Sequence, residues 1–182
     1  MRPEHDTDVD LVRRLAEGDK TALAALVKRH QRRVFDIAYR VCGDQALAED
    51  VTQETFLRVW RAAPRYQPQA KFTTWVYRIV VNLCRDAFKT RRPTAAARPG
   101  AFADGSIPTC DPLEADDNAQ RVREAVADLP ERQRLALVLH RFTEMPLSDI
   151  VDATGWSHKA VESLLVRAYN SLRAALKDLG DP

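Results

Sequence analysis

Residues 143–173, TEMPLSDIVDATGWSHKAVESLLVRAYNSLR, decide how this chain is read. Gly155 stands four residues after Val151 and six before Val161. That spacing suits a short helix, a tight turn whose glycine takes a positive φ, and a second helix crossing the first. Ser148 and Ser157 are the expected N-caps of the two helices. At about 100° per residue, Val161, Leu165, Ala168, Leu172 and Leu179 fall on one side of the second helix. Lys159, Ser163, Val166 and Asn170 fall on the other, flanked by Glu162 and Arg167. The apolar side must pack inward, which leaves hydrogen-bonding groups on the outer face of the first turns. Groove readout of DNA needs that arrangement. A plain amphipathic helix on a bundle surface shows the same spacing, so the pattern alone leaves both readings open.

Outward from this stretch, residues 93–112, PTAAARPGAFADGSIPTCDP, hold four of the ten prolines and show no helical period. They read as a flexible linker between an N-terminal domain, 1–92, and a C-terminal domain, 113–182. The N-terminal domain reads as all helix: about Asp8–Glu17 ending at Gly18, a second helix opened by Asp19 or Thr21 and ending at Gly43, a third from the N-cap Asp44 to about Ala63, and a fourth over Phe72–Arg91. The C-terminal domain adds a helix from about Leu113 to Leu129, and one from Pro130, at its first position, to Phe142. The fold class is therefore all-α, two small helical domains joined by a linker.

Composition excludes several functions. The 182 residues carry 28 Lys and Arg against 26 Asp and Glu, a net charge of +2, so any attraction to nucleic acid must be local. There is no apolar run of membrane-spanning length, and the opening MRPEHDTDVD is polar and acidic. Three separated cysteines, Cys42, Cys84 and Cys110, and four scattered histidines form no metal-ligand spacing or disulfide framework. A reducing cytoplasm is the expected compartment. Cys42 and Cys84 read as small buried hydrophobes, and Cys110 as a linker thiol open to redox chemistry. No phosphate-cradling glycine loop, HExxH, or nucleophile with base and acid is present, so neither enzyme activity nor a cofactor is expected.

Helix Phe72–Arg91 concentrates charge. Arg78, Arg85, Lys89 and Arg91, with Lys71 before it and Arg92 after it, stand against one acid, Asp86. The preceding loop supplies Arg65, Tyr66 and Gln69. Cations along a helix with an aromatic at its start suit phosphate contact and base stacking. Complementing the helix dipole explains Lys89, Arg91 and Arg92 equally well, but not Lys71 or Arg78. On helix Asp44–Ala62, Leu47, Val51 and Thr55 define one side. Phe56 and Trp60 fall on the far side beside Glu49 and Gln53, with Asp50 and Glu54 between. Either this is an acidic-aromatic docking surface, or the helix is packed on two sides within its own bundle.

Taken together, three segments resemble the extracytoplasmic-function group of sigma-70 bacterial sigma factors: DQALAEDVTQETFLRVWRAAPRY, its core-binding helix; KFTTWVYRIVVNLCRDAFKTRR, its helix for the minus-ten element; and LPERQRLALVLHRFTEMPLSDIVDATGWSHKAVESLLVRAYNSLR, its minus-thirty-five module. The resemblance spans nearly the whole chain. It implies that Glu49, Asp50, Gln53, Glu54, Phe56 and Trp60 dock on the clamp helices of core RNA polymerase. It implies minus-ten contacts by Arg65, Tyr66, Lys71, Arg78, Asn82 and Arg85, with a flipped base held by the loop. Ser157, His158, Lys159, Glu162, Ser163 and Arg167 are then expected at the minus-thirty-five duplex, with the surroundings on the polymerase flap. A cognate anti-sigma factor and stress-type promoters are also implied. The recognition helix departs from the family, with Glu162, Leu164 and Tyr169 where Lys, Arg and Arg are common, and Val151 replaces a frequent Ala. Its face is less basic, and Glu162 is suited to accept from a cytosine amino group. A self-sufficient helix-turn-helix regulator leaves the basic helix without a role. An adaptor that sequesters an anti-sigma factor would dispense with DNA contacts.

Overall fold

The computed structural model describes residues 7–68, 71–90 and 117–179, and every regular element among them is helical. Four helices build the N-terminal module: α1 (Asp8–Ala16), α2 (Lys20–Cys42), α3 (Gln45–Ala62) and α4 (Phe72–Thr90). Four more build the C-terminal module: α5 (Asp117–Ala127), α6 (Glu131–Leu137), α7 (Leu147–Thr154) and α8 (His158–Ala175). The expected linker 93–112, Cys110, Gln69, Arg91, Arg92 and the start expected for α5 at Leu113 lie outside the described residues.

Local chemistry sets the helix boundaries. Thr7 and Asp10 form a reciprocal capping box at α1, and the side chain of Asp19 accepts from Thr21 N–H at α2. Asp19 also takes two hydrogen bonds from Arg14, at 2.7 and 3.0 Å. Hydrogen bonds from Thr21 and Arg14 hold its carboxyl down at about 2. Gly43 and Gly155 end α2 and α7 at φ of 68° and 70°, as their positions in the sequence require. Asp44 caps α3 through Leu47 N–H, and Ser157 caps α8 through Ala160 N–H.

Two expected starts are corrected. The N-cap of α7 is Pro146, whose carbonyl accepts from Asp149 and Ile150 N–H, so Ser148 falls within the first turn and meets Asp149 instead. Pro130 is likewise the N-cap of α6 and not its first residue: its ψ of 139° is extended, and α6 opens at Glu131. The helix expected to run regularly to Phe142 widens into a π turn over Val138–Phe142. Thr143, immediately after it, donates its hydroxyl to Leu139 O.

The two modules do not bury separate cores. One contiguous apolar cluster runs from Leu11, Leu26, Val41 and Val59 through Val76 and Val80 into Leu135, Leu139, Ile150 and Val161. Helix α4 packs on α2 and α3 within its own module and against α7 of the other. A smaller cluster of Val126, Leu129, Leu137 and Ala168 closes the far side of the C-terminal module.

A Cβ added at Gly155 meets no atom within 4 Å, so the positive φ is the whole obstacle to a side chain there. Gly155→Ala is therefore expected to lower stability by about 1–2 kcal/mol through backbone strain alone, read as a shift of the denaturant midpoint at unchanged m-value.

Candidate nucleic-acid interface

The helical repeat places Lys71, Arg78, Asn82 and Arg85 within about 60° of one another on α4. The structure exposes Lys71, Arg78 and Asn82, and half-buries Arg85. Arg65 is exposed on the short 3-10 turn Ala63–Arg65. Tyr66, expected to be open to a base, is packed: its ring centroid is 4.6 Å from Trp75 and 6.5 Å from Phe72. Its hydroxyl is buried without a hydrogen-bond partner, and burial followed by the charge of Asp8 pushes the phenol above its ordinary range. Tyr66, Phe72 and Trp75 thus form an aromatic corner at the head of the basic stripe.

Arg85 is engaged elsewhere. Its guanidinium donates to Thr154 O of α7 at 3.1 Å. Along the same edge of α4, Thr74 donates its hydroxyl to Asp149 at 3.1 Å. Two further contacts close the modules: Arg33 donates to Thr143 O at 3.4 Å, and the Arg40 guanidinium lies 4.1 Å over the Phe142 ring. These partners escaped the sequence reading because each links residues about seventy or more positions apart, beyond any helical period. A cleft between the modules is lined by Arg85, Phe88, Glu131, Arg132, Leu135 and Trp156.

On α8, Val161, Leu165 and Ala168 are buried, while Lys159, Glu162, Val166, Arg167 and Asn170 face solvent. Ser157 and His158 are exposed and Ser163 is half-buried. The His158 ring lies 3.5 Å from the Glu162 carboxylate, one turn on. The outer face of α8 is also apolar in part: Val166 and Tyr169 are 59% and 40% exposed.

The face proposed on α3 needs correction. Phe56 is only 6% exposed and belongs to the core, because α3 is packed against both α2 and α4. Glu49, Asp50 and Gln53 are exposed, and Glu54 is half-buried, bonded to Arg58 at 3.0 Å. Trp60 is 46% exposed beside Leu57 at 40%. Leu57 went unread, although Glu49, Gln53, Leu57 and Trp60 recur at the i, i+4, i+8, i+11 spacing of one helix face. Among the described residues no His, Cys, Asp and Glu cluster could hold a metal ion, and no helix is long and apolar enough to cross a membrane.

Two family models match this arrangement: sigma-70 region 2 over residues 26–94, and sigma-70 region 4 over residues 119–172. The chain belongs to the extracytoplasmic-function group of the sigma-70 family of RNA polymerase sigma factors. It is 30% identical to the RNA polymerase sigma-H factor of Pseudomonas aeruginosa over 96% of both chains. It is 27% identical to the sigma factor SigW of Bacillus subtilis, over 92% of this chain and 96% of that one. Among solved structures, CnrH in complex with the cytosolic domain of CnrY matches with a TM-score of 0.69 at 27% identity, covering 94% of this chain and 97% of CnrH. Sigma factors of this family initiate transcription by binding core RNA polymerase and promoter DNA.

The unpartnered hydroxyl of Tyr66 separates packing from hydrogen bonding. Tyr66→Phe is expected to leave the melting temperature unchanged or raise it, because a buried orphan group is removed. Tyr66→Ala is expected to cost about 2–3 kcal/mol by opening the aromatic corner. Equal losses in both variants by thermal denaturation would mean that the hydroxyl is bonded.

Proposed function

We propose that this sigma factor divides its work between a module comprising residues 1–92, for core polymerase and the minus-ten element, and one comprising 113–182, for the minus-thirty-five element, joined by 93–112. The exposed α3 strip of Glu49, Asp50, Gln53, Leu57 and Trp60, with Glu54 behind it, docks on the polymerase clamp. Lys71, Arg78, Asn82 and Arg85 follow the DNA backbone beside the minus-ten element, with Arg65 and the Tyr66 corner at the displaced base. Unstacking that base costs a few kcal/mol, which stacking on an aromatic platform offsets. Ser157, His158, Lys159, Glu162, Ser163 and Arg167 lie along the minus-thirty-five duplex, Glu162 accepting from a cytosine amino group. The polymerase supplies the chemistry, so the chain acts as an initiation factor in the cytoplasm, without enzyme activity or cofactor of its own. A cognate anti-sigma factor is its expected antagonist and stress-type promoters its targets.

The observation that carries this reading is a basic stripe on α4 and a polar face on α8, one on each module. Two elements about 25 base pairs apart lie roughly 85 Å apart along the duplex. A compact chain of this length has a radius of gyration of about 16 Å. The modules must therefore separate on promoter DNA, and Arg85 must leave Thr154 to reach it.

Run-off transcription from a pool of bacterial promoter fragments, with core polymerase with and without the chain, tests the reading. Transcripts that depend on the chain and share two spaced elements are expected. Tight, specific binding to duplex DNA without polymerase would favour a self-sufficient regulator, and core binding without any transcript would favour an adaptor. Arg78→Ala is expected to reduce open-complex formation several-fold without loss of core binding, measured by permanganate footprinting. Glu162→Ala is expected to relax the preference at one minus-thirty-five position by about 1–3 kcal/mol; a uniform loss on every promoter would remove Glu162 from base readout.

A further inference from the structure

Two thiols meet where α2 ends against the middle of α4. The sulfurs of Cys42 and Cys84 are 3.7 Å apart. Cys84 has no exposed surface, and Cys42 is 6% exposed. A disulfide needs its sulfurs at about 2.05 Å, so a relative movement of under 2 Å would join them. Cys42 is the last residue of α2, directly before the left-handed Gly43, and a helix terminus gives way more readily than a helix centre. The sulfurs belong to different helices of one module, 42 positions apart, so a bond between them closes a long loop.

A charged group from the other module reaches the same spot. Arg134 of α6 is 9% exposed, donates one guanidinium N–H to Ala127 O, and keeps its buried Nε without a partner. Its positive charge acts on both sulfurs. A buried guanidinium beside a thiol pair favours the thiolate that reacts with oxidants. Against this, the hydrogen bond with Cys42, and then burial, push the Cys84 thiol far above its ordinary range. The packed Cys84 thiol is thus held protonated until local opening admits an oxidant.

We propose that Cys42 and Cys84 form a reversible dithiol–disulfide site inside the N-terminal module, oxidised by a hydroperoxide and reduced by low-molecular-weight thiols. The more accessible Cys42 sulfur attacks a peroxide oxygen, breaking the O–O bond and releasing one water with the Cys42 proton. The Cys84 sulfur then attacks the sulfenic sulfur, forming the S–S bond and releasing the sulfenic oxygen as a second water with the Cys84 proton. Two thiols are oxidised by two electrons, and one hydrogen peroxide is reduced to two waters.

The test uses the full chain carrying Cys110→Ser, treated with hydrogen peroxide, then denatured and alkylated. Intact mass is expected to show the loss of two hydrogens with neither thiol alkylated, and dithiothreitol is expected to restore both. Cys84→Ala in the same background, checked for native circular dichroism, is expected to lose the bridge and to leave Cys42 sulfenic or alkylated. The oxidised chain is expected to melt at a higher temperature than the reduced one, because the loop closure acts on the unfolded state. Full alkylation of both thiols after peroxide, or a bridge that forms only in denaturant, would overturn the proposal.

Discussion

The packing of α7 against α4 is the contact on which the rest of this structure depends. It joins two helical modules in one apolar core that includes Ile150 and Leu139 of the C-terminal module with Val76 and Val80 of the N-terminal module. The polar contacts beside it, Thr74 with Asp149 and Arg85 with Thr154, are partly buried. Such hydrogen bonds contribute about 1 kcal/mol each and fix orientation, whereas the buried apolar side chains supply most of the attraction. The interface is therefore apolar in strength and polar in register.

That division has a functional side. Helix α4 presents one face to the core, one edge to α7, and one stripe of charge to solvent. Arg85 lies where edge and stripe meet, so under the proposed function one guanidinium serves both the closed chain and the DNA backbone. The strip on α3 that contains Trp60 stands outside this contact and remains exposed while the modules are together. In the closed chain Lys71, Arg78 and Asn82 are exposed as well, while Arg85 is held by Thr154 of the other module.

Helix positions were legible in the sequence because capping and turn chemistry is local. Asp19, Asp44 and Ser157 cap the helices they were expected to cap, and Gly43 and Gly155 take the positive φ their positions demand. The misread starts share one cause. A proline preorganises φ and, with an extended ψ, can close a helix start without a side-chain hydrogen bond, as Pro130 and Pro146 do ahead of Glu131 and Leu147. For Phe56 the second of the two readings of α3 holds, since the helix is packed on two sides, and spacing alone does not tell a docking aromatic from one covered by a second neighbour. The charged stripe on α4 could be read from spacing, but the pairing of Arg85 with Thr154 could not, since nothing local to Arg85 encodes a carbonyl 69 residues away. The same holds for the juxtaposition of Cys42 and Cys84, each of which reads as an ordinary buried small residue.

The shared apolar core also gives the closed chain a thermal character. Burial of apolar surface weakens on cooling and carries a large heat-capacity change. Separating Leu135, Leu139 and Ile150 from the N-terminal helices exposes such surface, so the free energy of parting the modules falls as temperature drops below its maximum. A protein held shut mainly by charge pairs would respond chiefly to salt. The apolar part of this contact responds to temperature, and it holds the modules less tightly in the cold than at its maximum.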